Sequence, residues 1–300
     1  MTDDTNRTRV AAGTGASAGA DPGARPGSAT RAGTATRAAA SADPGARADA
    51  ATRPGSATRA AAAARAGTAT RAAAAAARVS PDRPHPVVPG SIGLLGGTFD
   101  PIHYGHLAIA EEVREALGLE RVLFVPSGIP PHKPGRPISP AEDRVAMVRL
   151  AIADNPAFAL SRVEVDRPGP SFAVETLELL VAEALAAGRR PDFTFILSSE
   201  AFIELPTWRD PDRLLELCRM AVVPRAGRGG PGPDWVTRRF PGREDRVIFL
   251  DGPNIALSGT ALRRRVANGR SIRYLVPDAV IAYIGDHALY RSESWRNDRS

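Results

Sequence analysis

The first 91 residues of this 300-residue chain contain no Ile, Leu, Phe, Tyr or Trp, and the first large aliphatic side chain is Ile92. A segment without such side chains cannot bury enough apolar surface to offset the entropy that it loses on ordering. We therefore expect residues 1–89 to form a long disordered extension rich in Ala, Arg, Gly, Thr and Pro. The remaining residues, about 210 in number, suffice for one sizeable core. We expect one folded domain over 90–290 and a flexible tail over 291–300.

The charge of the chain is concentrated in the same extension. Residues 1–90 carry 12 Arg and 6 Asp with no Lys or Glu, whereas the remaining residues carry 27 basic and 27 acidic side chains. The net charge of +6 therefore lies wholly in the extension. A basic folded domain would indicate a nucleic-acid partner. Because the folded part is neutral, we expect no such partner for it.

The extension also repeats short sequences, such as PGSATRA at 26–32 and again at 54–60. These repeats carry no large apolar residue, so they do not indicate a solenoid. Two further interpretations stay open. The extension resembles an organelle transit peptide in being rich in Arg and free of Glu, and translation that starts near Val87 or Val88 would remove it altogether.

Cysteine and hydropathy exclude several classes of protein. Cys218 is the single cysteine, which excludes an intrachain disulfide and a thiolate metal cluster. It lies in an aliphatic run, which predicts a buried, inert thiol. No stretch approaches the roughly 20 apolar residues of a membrane span, and no hydrophobic secretory segment follows Met1. We therefore expect a cytoplasmic protein with no membrane partner.

From Gly90 onward, short apolar runs typical of strands alternate with amphipathic segments typical of helices. The predicted strands are Ile92–Leu95, Val122–Val125, Phe158–Val165, Phe193–Leu197, Met220–Val223 and Val247–Leu250. The predicted helices are Leu107–Leu117, Pro140–Ala153, Ser171–Ala187, Pro211–Leu217, Ser258–Ala267 and Pro277–Ile284. This alternation predicts an α/β fold with a doubly wound parallel sheet, whose ligands bind where the strand order switches. The Gly-, Pro- and Arg-rich stretch Arg225–Arg243 is predicted to be a mobile surface loop.

The strongest motif is GGTFDPIHYGH at residues 96–106, which reads as a strand, a tight turn and the first turn of a helix. His103 and His106 are three residues apart, so both rings can face the same way at the helix N-terminus. That terminus presents free N–H groups and positive potential, which favour phosphate. The pair could also be half of a zinc site, but such a site needs three or four ligands. The chain has five histidines in all, and we predict no metal site.

This motif matches the pattern G-x-F-D-P-x-H-x-G-H of a known family of nucleotidyltransferases, which the chain resembles. The second signature of that family is rich in Ser and Thr with an Arg at the start of a late helix, and SGTALR at residues 258–263 matches it. Ser258 can cap this helix, and Arg263 can add a bidentate clamp on phosphate. We expect the neighbouring Arg264 and Arg265 to be solvated.

Within that family, the chain is most similar to the nicotinate-nucleotide adenylyltransferases over about Ser91–Tyr290. The similarity is carried by four segments, PSGIPPHK at 126–133, RPGPSFAVETL at 167–177, LPTW at 205–208 and YLVPDAVIAYI at 274–284. The resemblance implies a Rossmann-like sheet and adenylyl transfer from ATP to nicotinate mononucleotide, giving deamido-NAD and pyrophosphate. It further implies that Trp208 stacks on the pyridine ring and that Thr176 hydrogen-bonds the pyridine carboxylate.

The resemblance implies that the acceptor phosphate, already an anion, attacks the α-phosphorus of ATP without a strong general base. His103, His106 and Arg263 are then the catalytic residues. The residues expected to bind ATP are Gly96, Gly97, Thr98, Phe99, Lys133, Ser258 and Thr260. Mg²⁺ is carried in with ATP, bridging its oxygens and keeping most of its waters, so no carboxylate cage is needed. Asp100 is predicted to brace the turn rather than to bind metal.

One residue stands out against the composition of the chain, and two positions depart from the family pattern. Lys133 is the single lysine among 39 basic residues, and its ammonium suits contact with phosphate. Relatives commonly have Gly-Ala-Asp where this chain has Ser198, Ser199 and Glu200, and a Tyr where it has Phe172.

Two alternative functions stay open. One is adenylyl or cytidylyl transfer to another phosphate acceptor such as nicotinamide mononucleotide, and the other is a non-catalytic nucleotide-binding module whose extension docks nucleic acid.

Overall fold

The computed structural model describes residues 78–79, 85–130, 137–224, 230–253 and 255–296. They contain a seven-stranded sheet in the order β1-β7-β6-β5-β2-β3-β4, in which every neighbouring pair is parallel. The strands are β1 Arg78–Val79, β2 Val88–Gly97, β3 Leu119–Pro126, β4 Phe158–Leu160, β5 Phe193–Ser198, β6 Arg219–Val223 and β7 Val247–Leu250. From β2 the chain first builds outward to β4 and then returns to β5 on the other side. The predicted doubly wound, Rossmann-like α/β sheet is thus confirmed, with its switch point between β2 and β5.

Helices cover both faces of this sheet. The α-helices of the described residues are α1 Tyr104–Leu117, α2 Ala141–Ala151, α3 Ala173–Ala186, α4 Ser199–Glu204, α5 Pro211–Leu217, α6 Pro233–Arg239, α7 Gly259–Ala267, α8 Asp278–Asp286 and α9 Glu293–Arg296. Short 3₁₀ turns lie at Leu205–Thr207 and Glu244–Arg246. Each parallel pair of strands needs a long connection, and the helices in these connections bury both faces of the sheet.

Two apolar cores result, one on each face of the sheet. Successive strand residues point to opposite faces, and along β2 Leu94 packs into one core and Leu95 into the other. The first core joins the strands to α1, α2, α7 and α8, and the second joins them to α3, α5 and α6. Both signature motifs therefore lie on helices of the same face, which brings them together at one end of the sheet.

The predicted elements agree with the structure except at their bounds. Val247–Leu250 and Pro211–Leu217 have the predicted bounds. The predicted strand Phe158–Val165 is too long, since β4 ends at Leu160 and the chain then turns. The cause is the placement of β4 at the sheet edge, where it pairs only with β3 over three residues. Such an edge position is not visible in a run of alternating apolar residues.

Two predictions of irregular chain are corrected. Within the predicted loop Arg225–Arg243, residues 233–239 form α6, because Val236 is fully buried in the second core. Residues 225–229 of that loop lie outside the described residues. In the predicted tail 291–300, residues 293–296 form α9, because Trp295 is buried against the first core. Residues 297–300, and the extension except for 78–79 and 85–89, also lie outside the described residues.

The surroundings of Cys218 can be compared with the predicted inert thiol. The Cys218 thiol is buried and donates to the Leu214 carbonyl oxygen at 3.3 Å, and burial raises its pKa to about 12. The predicted inert thiol is confirmed, since a thiol with so high a pKa is not a nucleophile at neutral pH. No helix in the described part of the chain combines the length and apolar character that a membrane crossing requires.

Candidate active site

A cleft of about 410 Å³ opens at the carboxyl ends of the central strands. Its floor comes from the end of β2 at Gly96 and Gly97 and from the end of β5 at Leu197 and Ser198. These strands flank the switch point, where the chain leaves the sheet in opposite directions and necessarily leaves a gap. The cleft is therefore a consequence of the strand order, and it lies where ligands of doubly wound sheets bind.

The first motif forms one side of the cleft. Gly96, Gly97, Thr98, His103 and His106 all line it. Phe99 lies behind them with a buried ring, and its backbone φ of 50° is in the left-handed region that L-residues rarely adopt.

The two histidines of this motif form a stacked pair. The centroids of the His103 and His106 rings are 3.7 Å apart with an interplanar angle of 17°, and the edge of Phe99 supports His106 at 5.0 Å. His103 is the N-cap residue of α1, and Gly105 follows within the first turn. A Cβ atom at Gly105 would lie 3.1 Å from His103 Nδ1. The glycine of the motif thus leaves room for the stacked rings.

One hydrogen bond fixes the tautomer of His106. The backbone N–H of His103 donates to His106 Nδ1 at 3.3 Å. Because a backbone N–H is always a donor, Nδ1 carries the lone pair, and a neutral His106 carries its proton on Nε2. The ring therefore offers an N–H donor from the edge opposite to the one held by the backbone.

Asp100 braces the turn, as the sequence predicts. Its carboxylate is buried and accepts hydrogen bonds from the Tyr290 hydroxyl at 2.6 Å and from the Ser139 backbone N–H at 3.1 Å. Burial and the neighbouring Asp100 raise the pKa of Tyr290 well above its ordinary value, so the hydroxyl stays protonated as a donor. The carboxylate thus ties the first motif to two distant segments of the chain.

The second motif packs directly behind the first. Ser258 caps α7 by accepting from the Ala261 N–H at 3.5 Å. The Arg263 guanidinium donates to the Asp100 carbonyl oxygen at 2.5 Å and to Thr260 Oγ1 at 3.2 Å, and lies 5.0 Å above the Trp295 ring. A Cβ atom at residue 259 would lie 2.9 Å from the Asp100 carbonyl oxygen, so glycine permits this contact. Leu257 lines the cleft, whereas Ser258, Thr260 and the buried Arg263 lie just behind its wall.

The helices fall into two groups, with and without an acidic residue in the first turn. Of the α-helices in the described residues, α1 and α7 have no acidic residue in the first turn, whereas each of the others has at least one. A carboxylate at this position offsets the positive end of the helix and competes with an anionic ligand. The two helices that begin within the signature motifs therefore keep their positive N-terminal potential.

The far side of the cleft is aromatic. Phe172 and Trp208 line it, and Arg209 lies beside them with its guanidinium 4.8 Å from the centroid of the Phe172 ring. Arg209 also forms an ion pair with Glu175 at 2.6 Å. This wall can hold a flat ring between apolar faces, with a cation at its exposed edge. Sequence reasoning found Trp208 but missed Arg209, although its position next to Trp208 was a usable signal.

Thr176 is not where the predicted role requires it. It does not line the cleft, and its buried hydroxyl lies 2.8 Å from Glu164 Oε1 and 3.2 Å from the Phe172 carbonyl oxygen. Its position in the second turn of α3 points it at the core, which periodicity alone did not distinguish from the cleft. The Glu164 carboxyl does line the cleft, and burial raises its pKa.

One residue predicted to bind ATP is not among the described residues, and one residue that was not predicted lies beneath the cleft. Lys133 lies outside the described residues, so its contact with phosphate stays a prediction. Arg144 was not predicted as a site residue, because an arginine inside an amphipathic helix normally indicates a solvated face. It is buried beneath the cleft instead.

Within the described ranges, no three His, Cys, Asp or Glu side chains gather as ligands for a metal ion.

The fold and the cleft define a nucleotide-binding α/β protein of the cytidylyltransferase-like class, whose family model matches residues 94–265. Among relatives, a "probable nicotinate-nucleotide adenylyltransferase" of Roseiflexus sp. (strain RS-1) is 52% identical over 200 residues, which are 67% of this chain and 98% of the relative. A protein of the same name from Thermomicrobium roseum is 46% identical over 201 residues, covering 67% and 92% of the two chains. The chain therefore belongs to the nicotinate-nucleotide adenylyltransferase family.

Solved structures resemble the fold at lower identity. A Plasmodium falciparum nicotinic acid mononucleotide adenylyltransferase complexed with NaAD is 17% identical with a TM-score of 0.55, covering 67% of this chain and 97% of that chain. The same Plasmodium enzyme complexed with APC gives a TM-score of 0.54 at 16% identity, covering 67% and 96%. These likenesses support the architecture of the sheet and its helices.

Proposed function

We propose that this protein transfers the adenylyl group of ATP to nicotinate mononucleotide, which yields deamido-NAD and pyrophosphate in the biosynthesis of NAD. One observation carries the proposal. A single cleft places a stacked histidine pair, at the acid-free N-terminus of α1, opposite an aromatic wall with a cation at its edge. The first side suits a triphosphate and the second a pyridine ring that bears a carboxylate.

The chemistry requires positioning more than proton transfer. An oxygen of the mononucleotide phosphate attacks the α-phosphorus of ATP, and the bond from that phosphorus to the oxygen that bridges to the β-phosphorus breaks, releasing pyrophosphate. The attacking oxygen is already anionic, so no general base is needed. The protein then contributes alignment of the two phosphates and stabilisation of the negative charge that shifts to the leaving group.

His103 and His106 stabilise this charge in our proposal. The Nε2–H of His106 is directed away from the backbone hydrogen bond at Nδ1, so it can donate to a phosphate oxygen in the cleft. The Thr98 backbone and the N-terminus of α1 lie along the same side. Donors that are fixed before the substrate arrives cost no reorganisation during the reaction, which makes them effective in the transition state.

The second motif holds the outer phosphates in our proposal. The N-terminus of α7, with Ser258 and Thr260, adjoins the wall of the cleft at Leu257, and the Arg263 guanidinium on this helix contacts the first motif at the Asp100 carbonyl oxygen. A guanidinium has five N–H donors, and in our proposal that of Arg263 turns from the carbonyl oxygen to a phosphate. Lys133 joins this set as a further proposal. Magnesium enters as part of the substrate, MgATP, because ATP is bound by such enzymes with its metal ion.

On the acceptor side, Trp208 stacks on the pyridine ring in our proposal, and Arg209 favours a carboxylate over a neutral amide at the ring edge. Glu175 offsets part of the charge of Arg209. We leave Thr176 out of the contacts to substrate. The cytoplasmic location inferred from the sequence stays a prediction.

The test is an initial-rate assay of the full-length protein with MgATP that follows both pyrophosphate and the dinucleotide product. Nicotinate mononucleotide, nicotinamide mononucleotide and other phosphate acceptors are compared at equal concentration, and CTP replaces ATP in a parallel series. We expect the highest kcat/KM with ATP and nicotinate mononucleotide, at least about tenfold above the amide, which corresponds to about 1.4 kcal/mol. A preference for the amide or for CTP would support the alternative transfer reactions, and no pyrophosphate with any acceptor would support a binding module.

A further inference from the structure

Arg144 lies at the first turns of α2, and its side chain is almost completely buried, with 1% of the residue exposed. Its guanidinium donates to four backbone carbonyl oxygens. Nε donates to Ser139 at 3.0 Å, Nη1 to Thr98 at 3.0 Å and to Ser127 at 2.6 Å, and Nη2 to Gly128 at 3.1 Å. One side chain therefore binds three separate segments of the chain.

This arrangement is a costly way to stabilise a fold. No carboxylate among the described residues forms an ion pair with Arg144, although Asp100 and Glu164 act on it through space. Burial lowers the pKa of its guanidinium because removal from water disfavours the charge. A buried charge without an ionic partner is generally less stabilising than an apolar side chain of similar size. The geometry of the bonds therefore calls for a reason other than stability.

The segments that Arg144 joins include the ends of two neighbouring strands, and Thr98 and Ser127 both line the cleft. Thr98 follows β2 and lies on the side of the histidine pair, whereas Ser127 follows β3. The Ser127 N–H donates to the Gly97 carbonyl oxygen at 2.9 Å, so the two loops are also joined directly. Arg144 thus completes a rigid connection between the ends of two central strands.

The connection continues to the aromatic wall. The Gly128 N–H donates to Ser171 Oγ at 2.9 Å, and the Ser171 N–H donates to the Ile129 carbonyl oxygen at 2.9 Å. Ser171 precedes Phe172, which lines the aromatic side. The backbone of Gly128 is therefore held on both sides, by Arg144 at its carbonyl oxygen and by Ser171 at its N–H.

We propose that Arg144 is a positioning residue that fixes the distance between the triphosphate side and the mononucleotide side of the cleft, acting through Thr98, Ser127 and Gly128. The proposal rests on the proposed function, since in-line transfer needs both phosphates aligned. Displacements of about 1 Å in such reactions cost about 10²-fold in rate. Substrate binding at each side depends on groups other than Arg144, so misalignment lowers kcat more than it raises either KM.

The experiment compares Arg144→Lys with Arg149→Lys in the full-length protein. Lysine keeps the positive charge of Arg144, but its one nitrogen cannot reach four carbonyl oxygens in three segments. Arg149 is an exposed arginine on the same helix and serves as the matched control. We expect Arg144→Lys to lower kcat about 10- to 100-fold with each KM within about threefold, and Arg149→Lys to leave kcat and both KM values unchanged.

Hydrogen exchange followed by mass spectrometry supplies a readout that needs no turnover. In Arg144→Lys we expect faster exchange in peptides that cover 96–100 and 126–130, with peptides of α8 and β7 unchanged. If kcat per folded molecule and exchange in both loops match the wild type, Arg144 has no positioning role. A uniform rise in exchange across the domain also overturns the proposal, because it shows a purely structural role. If the wild type makes no dinucleotide, the proposed function fails, and the exchange data alone then decide whether Arg144 couples the two loops.

Discussion

In the sequence, both signature motifs predict a phosphate site at a helix N-terminus. In the structure, they lie at different depths relative to the cleft. The first motif lies open to the cleft, with the rings of His103 and His106 stacked along its side. The second motif lies one layer back, where the Arg263 guanidinium donates to the Asp100 carbonyl oxygen. Each motif leads into a helix with no acidic residue in its first turn. The first motif is thus in position for a ligand, whereas in the second the guanidinium must turn toward it.

Asp100 explains why the two motifs can be close and yet differ. Its carbonyl oxygen accepts from Arg263, and its carboxylate accepts from Tyr290. The backbone of the first motif is therefore held by the second motif and by the C-terminal segment. The geometry of the first motif therefore depends on the residues packed behind it. We expect substitutions to have smaller effects on turnover the farther they lie from the substrate.

The largest effect is expected for His106→Ala. Removal of one preorganised donor to a charge that develops in the transition state typically lowers kcat by on the order of 10²–10³. The measurement is steady-state turnover with saturating MgATP and nicotinate mononucleotide. The control is His287→Ala, which removes an exposed histidine on α8's C-terminal side. Turnover of His106→Ala near the wild-type value would remove the histidine pair from the mechanism.

A smaller effect is expected for Arg263→Lys. Lysine keeps the charge but loses the fork that binds a carbonyl oxygen or a phosphate and weakens the contact with Trp295. A hydrogen bond from a charged group is worth about 1.5–3 kcal/mol, so we expect kcat to fall by about 10- to 100-fold. The matched control is Arg264→Lys, an exposed neighbour on α7.

Two outcomes of this variant separate the possible roles of the second motif. A fall in thermal stability at unchanged kcat means that Arg263 acts as a brace for Asp100 and does not reach the phosphates. A fall in kcat at unchanged stability means that the guanidinium turns into the cleft. With the first outcome, only the first motif would contact the phosphates. With the second outcome, both motifs would contact them.

The sequence predicted what depends on local patterns. Strand–helix alternation was enough for the sheet, and the spacing of His103 and His106 was enough for their shared face. The direction of Arg263 was not predictable, because it depends on the packing of Trp295 from a segment that lacks strong apolar periodicity. Thr176 and Arg144 show the same limit. Each lies on a helix whose rotation about its axis is set by long-range contacts, with Glu164 in one case and with three loops in the other.

Tyr290→Phe tests the support of the first motif from the C-terminal segment. The variant removes a buried hydroxyl that donates to the Asp100 carboxylate at 2.6 Å. A buried hydrogen bond to a charged group contributes about 1.5–3 kcal/mol, and we expect the free energy of unfolding to fall by that amount, with kcat within about threefold. Chemical denaturation provides the measurement. Tyr283→Phe is the control, since its hydroxyl donates to Asp143 at 2.8 Å on a half-buried surface and is worth less. Equal losses for both variants would contradict a special role of Asp100.

The smallest effect is expected for removal of the extension. The residues that line the cleft lie between Leu95 and Leu257, so deletion of residues 1–77 should leave kcat within about twofold of the full-length value. A cut after residue 88 would be a poorer test, because Val88 begins β2 and its N–H donates to the Gly118 carbonyl oxygen at 2.8 Å.

A matching pair of binding measurements gives this deletion a positive readout. The extension carries the net positive charge of the chain, so if it docks nucleic acid, the full-length protein will bind single-stranded RNA with an affinity that falls steeply as salt rises, and the deleted protein will not. Loss of turnover by more than about tenfold on deletion would show that the extension supports the cleft. It would contradict the prediction that turnover does not depend on the extension. Retained turnover with lost RNA binding would instead separate the two activities along the chain, because the motifs and the extension would then act without each other.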